Sequence, residues 1–258
     1  MSDKKIIGLS VVYWADDTFL KSIASVIDFV DEMIIWHNYH PYKTSTLLHN
    51  SKQHKNVLNL VNQLKLNFGD KIIYHLNKKP YTSVGITDLI NKEIMYKNYN
   101  ESDYVMYVDS DEVFIPEQLT KIKKLVLMEK FDQFKIYQRH YIKYENLWMD
   151  CPTNPNQTFL TKNIKMRSYI RNHKNISTFT FPKEKLYYKH LAYCPQVWND
   201  LKIKLIGQDS CESGITIDQN WFNDIFMKIT QENYKDFKNF SYIKEFPHHM
   251  PSINKDTN

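Results

Sequence analysis

Short apolar segments alternate with amphipathic helical segments in the first part of this chain of 258 residues. The apolar segments are rich in β-branched residues, as expected of strands buried on both faces. Predicted strands cover residues 6–13, 33–36, 71–76 and 104–108, and predicted helices cover 17–30, 47–68 and 86–96. This order predicts an α/β fold, a mixed, mostly parallel sheet flanked by helices.

The composition excludes several classes of nucleotide-binding protein. The chain has only 5 glycines and contains neither a Walker A pattern nor G-x-G-x-x-G, so glycine-rich phosphate loops are absent. Its 3 cysteines fit neither a disulfide framework nor metal-ligand spacing. With no signal-peptide pattern and no apolar run that could span a bilayer, we expect a cytoplasmic protein with at most peripheral membrane contact.

The second half of the chain is less regular. It predicts a helix over 116–128, strands over 134–142, 164–170 and 186–193, and a proline-containing loop over 148–156. Helical spacing returns from about residue 197, and the last residues, 252–258, are polar and expected to fray. We predict one domain over residues 1–195 and a helical C-terminal extension over 196–258, packed on that domain.

An acidic motif, Asp109-Ser110-Asp111-Glu112, directly follows the fourth predicted strand. Ligands of open α/β sheets bind beyond the carboxyl ends of the strands, which is where this motif lies. Asp109 and Asp111 are two residues apart, so in extended backbone their carboxylates point the same way. A lone Asp-x-Asp is often only an acidic turn. After a buried strand it favours a Mg²⁺ or Mn²⁺ site that stabilises a departing diphosphate.

This arrangement resembles the GT-A fold of glycosyltransferases, and their family 2 in particular. The resemblance rests on the opening strand, Asp16-Asp17, Asp31-Glu32, Asn91 and the acidic motif. It implies a Rossmann-like sheet with a donor side over residues 1–115 and an acceptor side over 116–195. The implied activity is hexosyltransferase-like transfer of one sugar from a UDP- or GDP-sugar to a glycan, glycoconjugate or protein, with Mn²⁺ or Mg²⁺.

The resemblance also assigns roles to individual residues. Asp111 binds the metal, Asp109 contacts the donor ribose or the metal, and His190 completes the metal site. The other donor-binding candidates are Asp16, Asn38, Asn91, Arg167, Arg171 and Lys189. Arginine is scarce, and all of it follows the acidic motif, where a guanidinium can hold phosphate in a two-pronged way.

Two features depart from the family pattern. Many relatives carry a base-reading aspartate after the second strand, whereas the stretch around Asn38 has no carboxylate, so the nucleobase stays open. An inverting enzyme needs a carboxylate base, for which Glu145 and Asp150 are candidates, whereas a retaining enzyme needs none. The Gln-x-x-Arg-Trp signature of processive polymerases is missing, which favours transfer of a single sugar.

Aromatic residues follow the motif, and the rings of Tyr141 and Trp148 could stack on acceptor sugars or belong to a core. Two alternatives to a glycosyltransferase remain. A nucleotidyltransferase can share the sheet and the acidic site, but it usually opens with a glycine-rich loop, which is absent here. A basic, tyrosine-rich module that binds glycan or nucleic acid has no need of the acidic motif. Because the charges are interspersed, we expect no nucleic-acid partner.

Overall fold

A computed structural model describes most of the chain and divides it into two compact units. The described residues are 4–40, 51–79, 83–128, 131–149, 156–163, 176–194, 223, 226–236 and 253–256. The first unit contains those within Met1–Lys43, His49–Tyr137 and Asn156–Tyr188, and the second contains those within Gln138–Pro155 and Lys189–Asn258. This division runs through residues 1–195, which were predicted to form one domain.

Four parallel strands form the centre of the first unit. They are β1 (Ile6–Val12), β2 (Glu32–Asn38), β3 (Ile72–Asn77) and β4 (Tyr104–Tyr107). Their order is β4-β1-β2-β3, and Leu9 of β1 lies opposite Ile34 on one side and Tyr107 on the other. These strands confirm the four predicted strands and the α/β class with a largely parallel sheet.

Helices connect the parallel strands. They are α1 (Asp17–Val26), α2 (Ser51–Phe68) and α3 (Ser83–Ile90), which continues through a π-helical turn, Asn91–Met95, into α4 (Tyr96–Asn98). Apolar residues of α1 and α2, such as Phe19 and Leu60, cover one face of the sheet. Ile86 and Ile90 of α3 cover the other face. Both faces are therefore buried, which explains the continuous apolar runs of the strands.

The remaining elements follow the acidic motif. They are β5 (Glu112–Phe114), α5 (Pro116–Met128), β6 (Gln133–Ile142), β7 (Leu147–Met149), β8 (Asn156–Lys162), β9 (Thr178–Thr180), β10 (Tyr187–Tyr193) and β11 (Ile253–Lys255). In the first unit, β8 pairs antiparallel with β4 and with residues 133–137 of β6. Helix α5 and strands β6 and β10 confirm the prediction, whereas the predicted strand at 164–170 lies outside the described residues.

The second unit contains an antiparallel sheet in which β7 lies between β6 and β11. Trp148 of β7 is opposite Tyr141 of β6 on one side and Asn254 of β11 on the other. Two predictions were wrong here, because Trp148 lies in a strand and not in a loop, and residues 253–255 form a strand where fraying was expected. Strands of three residues are too short to show alternation in the sequence.

The predicted helical extension over 196–258 is not confirmed by the part of it that the structure describes. Those residues form 3₁₀ turns at Phe226–Lys228 and Tyr234–Asp236 and the strand β11, and α-helix is described only at Asn223. Across the described helices, none combines the length and the apolar character needed to cross a membrane.

A substitution at Gly8 tests how tightly β1 packs against Val30 and Met33. A Cβ atom added there would overlap Sδ of Met33 and lie 3.3 Å from Cγ1 of Val30, and both neighbours are buried. We expect Gly8→Ala to lower the free energy of unfolding by about 1–3 kcal/mol, measured by urea denaturation. In a Met33→Ala background the same change should cost less, because the overlapping atom is gone. An equal loss in both backgrounds would show that this overlap is not the cause.

Candidate nucleotide and metal site

The acidic motif forms a closed turn between β4 and β5. The N–H of Glu112 donates to the carbonyl oxygen of Asp109 at 3.1 Å, and the N–H of Asp109 donates to Oε2 of Glu112, also at 3.1 Å. Just before the turn, the N–H of Val108 donates to the carbonyl oxygen of Leu9 at 3.0 Å. The Glu112 carboxylate therefore helps to close the turn, and the residue just before the turn is tied to the middle of β1.

Hydroxyl groups on α1 hold the same turn. The Ser22 hydroxyl lies 2.7 Å from the carbonyl oxygen of Asp109 and 2.6 Å from that of Glu112, so it bridges both ends of the turn. The Thr18 hydroxyl oxygen lies 3.2 Å from the carbonyl oxygen of Ser110. Thr18 and Ser22 are four residues apart, which places them on one helix face.

Ser25 extends this support to the strand that follows. Its hydroxyl accepts the N–H of Phe114 in β5 at 3.0 Å and donates to the carbonyl oxygen of Ser22 at 2.6 Å. Sequence reasoning missed Ser22 and Ser25. Both serines lie on the helix face that also carries Phe19, Ile23 and Val26. Because buried polar side chains nearly always have hydrogen-bond partners, two serines on this apolar face were the signal that could have indicated such partners.

Asp16 lies at the start of α1 and acts as its N-cap. Its Oδ1 accepts the N–H of Thr18 at 2.9 Å and also the Thr18 hydroxyl. Asp16 is thus linked through Thr18 to the acidic turn. Its predicted contact with the donor stays a prediction.

The acidic turn offers oxygen ligands for a hard cation. Asp109 is half-buried, whereas the Asp111 and Glu112 carboxylates are buried. No group of three or more His, Cys, Asp or Glu side chains is gathered as a metal site among the described residues. Mg²⁺ sites commonly use one or two carboxylates together with substrate phosphates, and Asp109 and Asp111 supply that number. Metal binding by these two residues stays a prediction that fits their chemistry.

Two asparagines face each other at the carboxyl ends of β2 and β3. Asn38 is opposite Asn77, and its Oδ1 accepts Nδ2 of Asn77 at 3.0 Å and the indole Nε1 of Trp36 at 3.1 Å. Asn77 is itself oriented by the N–H of Lys79, which donates to its Oδ1 at 3.0 Å. Because an indole N–H can only donate, these contacts fix which end of the Asn38 amide is the oxygen.

The other end of the Asn38 amide is unsatisfied. Asn38 is 1% exposed, and its Nδ2 has no hydrogen-bond partner among the described residues. A buried donor without a partner costs about 1–3 kcal/mol and is rare in native proteins. This group lies at the edge of the parallel sheet where ligands of such folds bind, and a ligand atom can accept from it only after the atoms that cover it move aside.

Asn91 begins the π-helical turn between α3 and α4 and is buried. Such turns are rare and occur often at functional sites. The predicted donor-binding role of Asn91 stays a prediction.

A chain of polar rings lies on the opposite face of β2 from Asn38. Nδ1 of His37 is 2.9 Å from the hydroxyl oxygen of Tyr74, and Nε2 of His37 is 3.4 Å from Nδ1 of His54. Burial lowers the pKa of His37 to about 4, helped by the neighbouring His54, and burial raises the pKa of Tyr74 to about 12. His37 is therefore neutral at pH 7. No sequence pattern indicates that His37, His54 and Tyr74 meet.

Two of the predicted site residues meet at Asp256 in the second unit. Lys189 donates from Nζ to Oδ2 of Asp256 and to the carbonyl oxygen of Glu145, both at 3.1 Å. Tyr141 is fully buried, and its hydroxyl donates to Oδ2 of Asp256 at 2.8 Å. Its ring therefore offers no surface to a sugar in this conformation. The predicted contact of Lys189 with the donor diphosphate stays a prediction.

His190 also has a partner in the second unit. Its Nδ1 is 2.9 Å from Nδ1 of His140, so one ring must donate and the other accept. Burial lowers the pKa of His140 well below its usual value, and His190 contributes in the same direction. A metal-binding His190 would therefore use Nε2. That role stays a prediction, and Asp150, Arg167 and Arg171 lie outside the described residues.

Comparisons with known proteins give a structural likeness only. No protein-family model and no curated protein matches the chain. The chain is similar to S. aureus TarS 1-349, with a TM-score of 0.45 and 11% identity over 89% of this chain and 76% of that one. The same TarS fragment in complex with UDP gives a TM-score of 0.43 and 12% identity over 90% and 78% of the two chains.

Another solved structure gives the same level of likeness. The chain is similar to 4-diphosphocytidyl-2C-methyl-D-erythritol synthase, with a TM-score of 0.45 and 10% identity over 80% of this chain and 99% of that one. Similarity at this level supports no inference about activity. We therefore base the functional proposal on the residues of this chain.

The lowered pKa of the buried His37 predicts that the folded protein becomes less stable in acid. Because the pKa of His37 is about 4 in the folded protein and near 6.5 in the unfolded chain, the unfolded chain binds the proton first as pH falls. We expect unfolding experiments to show a loss of roughly 3 kcal/mol between pH 6.5 and pH 4 from this group. In His37→Gln this part of the pH dependence should disappear. The same slope in both proteins would contradict the assignment to His37.

Proposed function

We propose that this protein is a metal-dependent glycosyltransferase. It transfers one sugar from a UDP- or GDP-sugar to a glycan, glycoconjugate or protein acceptor. The acidic turn at the carboxyl end of β4 carries this proposal, because hydroxyl groups of α1 support its backbone. The Ser22 hydroxyl lies between the carbonyl oxygens of Asp109 and Glu112, and the Thr18 hydroxyl lies 3.2 Å from the carbonyl oxygen of Ser110. A structural acidic turn does not require such support. A site that must keep two carboxylates in one geometry does.

The carboxylates of Asp109 and Asp111 are the groups that would hold the cofactor. When bound there, Mn²⁺ or Mg²⁺ supplies Lewis-acid stabilisation of the negative charge on a departing diphosphate. Glu112 acts differently, since its carboxylate accepts the Asp109 N–H and keeps the turn closed. Thr18 and Ser22 fix the same backbone, so the ligand oxygens are positioned before the donor arrives.

Asn38 supports a nucleotide as the ligand of the first unit. Its Nδ2 group is a buried donor at the ligand-binding edge of the sheet. Uracil and guanine both present carbonyl oxygens that can accept from it. A carboxylate at this position would instead accept from a base N–H. The amide therefore selects for a carbonyl edge, and Asn91, on the same side of the sheet as α3, is a further candidate for the donor site.

The roles proposed for the remaining candidates follow the resemblance. Arg167 and Arg171 would bind the diphosphate, and His190 would complete the metal site. Glu145, which is exposed between β6 and β7, and Asp150 are the candidates for an acceptor base in an inverting reaction. The products of the reaction separate this proposal from a nucleotidyltransferase, which would release pyrophosphate and not a nucleoside diphosphate.

Asp111→Asn is the direct test of the metal site. We expect it to lower metal-dependent hydrolysis of UDP- or GDP-sugars about a hundredfold or more, because the neutral amide binds a cation weakly. EDTA should have the same effect on the unmodified protein. Glu117→Gln, which neutralises an exposed carboxylate of α5, is the matched control and should keep activity. Hydrolysis that continues undiminished in EDTA would refute metal dependence.

Asn38→Asp tests whether the side chain of Asn38 recognises the nucleobase of the donor. The substitution keeps the oxygen that accepts from Trp36 and Asn77 and changes only the Nδ2 end. A carboxylate oxygen would repel a base carbonyl, so we expect UDP and GDP to bind about tenfold more weakly. ADP, whose base presents an amino group, should lose less affinity or gain some. Calorimetric titration of the three nucleotides measures this, and unchanged selectivity would exclude Asn38 from base recognition.

A further inference from the structure

The side-chain amide of Asn77 is held at both ends by the backbone of Lys79. The N–H of Lys79 donates to Oδ1 of Asn77 at 3.0 Å, and Nδ2 of Asn77 donates to the carbonyl oxygen of Lys79 at 3.2 Å. A backbone N–H can only donate and a backbone carbonyl oxygen can only accept. The backbone therefore permits one orientation of this amide, in which its NH₂ group is turned toward Asn38.

Asn77 passes this orientation on to Asn38. Asn38 is opposite Asn77 in the register and two residues from Trp36 on β2, so the three side chains lie on one face of the sheet. Oδ1 of Asn38 accepts from Nδ2 of Asn77 at 3.0 Å and from the indole Nε1 of Trp36 at 3.1 Å. A rotated Asn38 amide would bring its own NH₂ group against these two donors. The NH₂ group of Asn38 is therefore directed away from both.

These polar groups are shielded from water. Trp36 and Asn38 are each 1% exposed and Asn77 is 6% exposed. Nδ2 of Asn38 has no hydrogen-bond partner within the described part of the chain. In a buried site, water does not compensate for a donor that meets another donor, and a ligand that leaves such groups unpaired is strongly rejected. The orientation of one amide can therefore decide which ligand group is accepted.

Nucleobases differ in the group that such an amide would meet. Uracil and guanine carry a carbonyl oxygen at position 4 and position 6, whereas cytosine and adenine carry an amino group at the same positions. An outward NH₂ group donates to the oxygen of the first two bases and is opposed by the amino group of the other two. An outward oxygen would have the opposite preference.

We propose that Asn77 sets the base specificity of the donor site by fixing the orientation of the Asn38 amide. Uracil or guanine is accepted, and cytosine and adenine are rejected. The inference rests on the proposed function, because a nucleotide must bind at this edge of the sheet, where the base reaches Nδ2 of Asn38 once the atoms that cover it have moved aside. Asn77 is a positioning residue, since it acts on the base only through Asn38.

Asn77→Asp reverses the polarity of the group that faces Asn38. The variant can still accept from Lys79, but it presents an oxygen to Asn38 in place of an NH₂ group, so the Asn38 amide should rotate. We expect the unmodified protein to prefer UDP over CDP or GDP over ADP, and this preference to fall at least about tenfold in the variant. Calorimetric titration of the four nucleotides measures the ratio of the two Kd values in each pair. The added charge repels both members of a pair alike and cancels in that ratio.

Further variants separate orientation from charge and from loss of structure. Asn67→Asp adds the same charge at an exposed position of α2 and should leave the ratio unchanged. Trp36→Phe should lower the ratio less than Asn77→Asp does, because Asn77 still donates to Asn38. Combining Trp36→Phe with Asn77→Asp should lower it further, because no donor then opposes the rotated amide. If Asn77→Asp does not fold, Asn77→Ala should shift the ratio in the same direction, since it removes the donor without adding charge.

The nucleotide titrations distinguish failure of this inference from failure of the proposed function. If UDP or GDP binds but Asn77→Asp weakens both members of a pair equally, the inference is overturned and the proposed function stands. Equal affinity of the unmodified protein for both members of each pair would overturn the inference as well. If the unmodified protein binds none of the four nucleotides, the proposed function itself is refuted.

Discussion

The bridging hydroxyl of Ser22 is the interaction on which the candidate site depends most. One side chain contacts the carbonyl oxygens of both Asp109 and Glu112, and so sets the width of the acidic turn. The side chain of Glu112 closes the turn from within. The carboxylates of Asp109 and Asp111 therefore inherit their positions from α1, a helix whose start is capped by Asp16. The chemistry proposed for the end of β4 therefore depends on α1, the helix that follows β1.

The sequence predicts the parallel core well because burial on both faces makes its strands continuously apolar. Ile6–Val12 and Tyr104–Tyr107 could therefore be placed from composition alone, and Asp109 and Asp111 followed from the strand end. Strands of three residues, such as β7 and β11, carry no periodicity and were missed. Ser22 and His37 were not recognised for what they do, since their partners are far away in the sequence, whereas Asn38 was among the donor-binding candidates and stays a prediction.

Residues of the second unit show that a sequence pattern also does not reveal which aromatic and basic side chains are buried. Tyr141, Trp148 and Lys189 were chosen as ligand-binding candidates for their chemistry, and the structure shows what each of them already contacts. Tyr141 is buried against Asp256, whereas Trp148 and Lys189 remain partly exposed. Burial separates a residue that supports a surface from one that forms it. A sequence pattern cannot make this distinction, because both kinds of residue share the aromatic and basic character.

The central position of β1 has a consequence for the order in which the molecule assembles. β1 is paired on one side with β2 and on the other with β4, and the N–H of Lys5 donates to the Asp103 carboxylate 98 positions further on. Closing such long loops costs entropy before any contact is gained, which slows folding. During synthesis, β1, α1 and β2 can pair early, but Ser22 waits with its hydroxyl unused until β4 arrives. The acidic turn is therefore completed only after the other three parallel strands have been made, and a nascent chain that stops short of it leaves one side of β1 without its neighbouring strand.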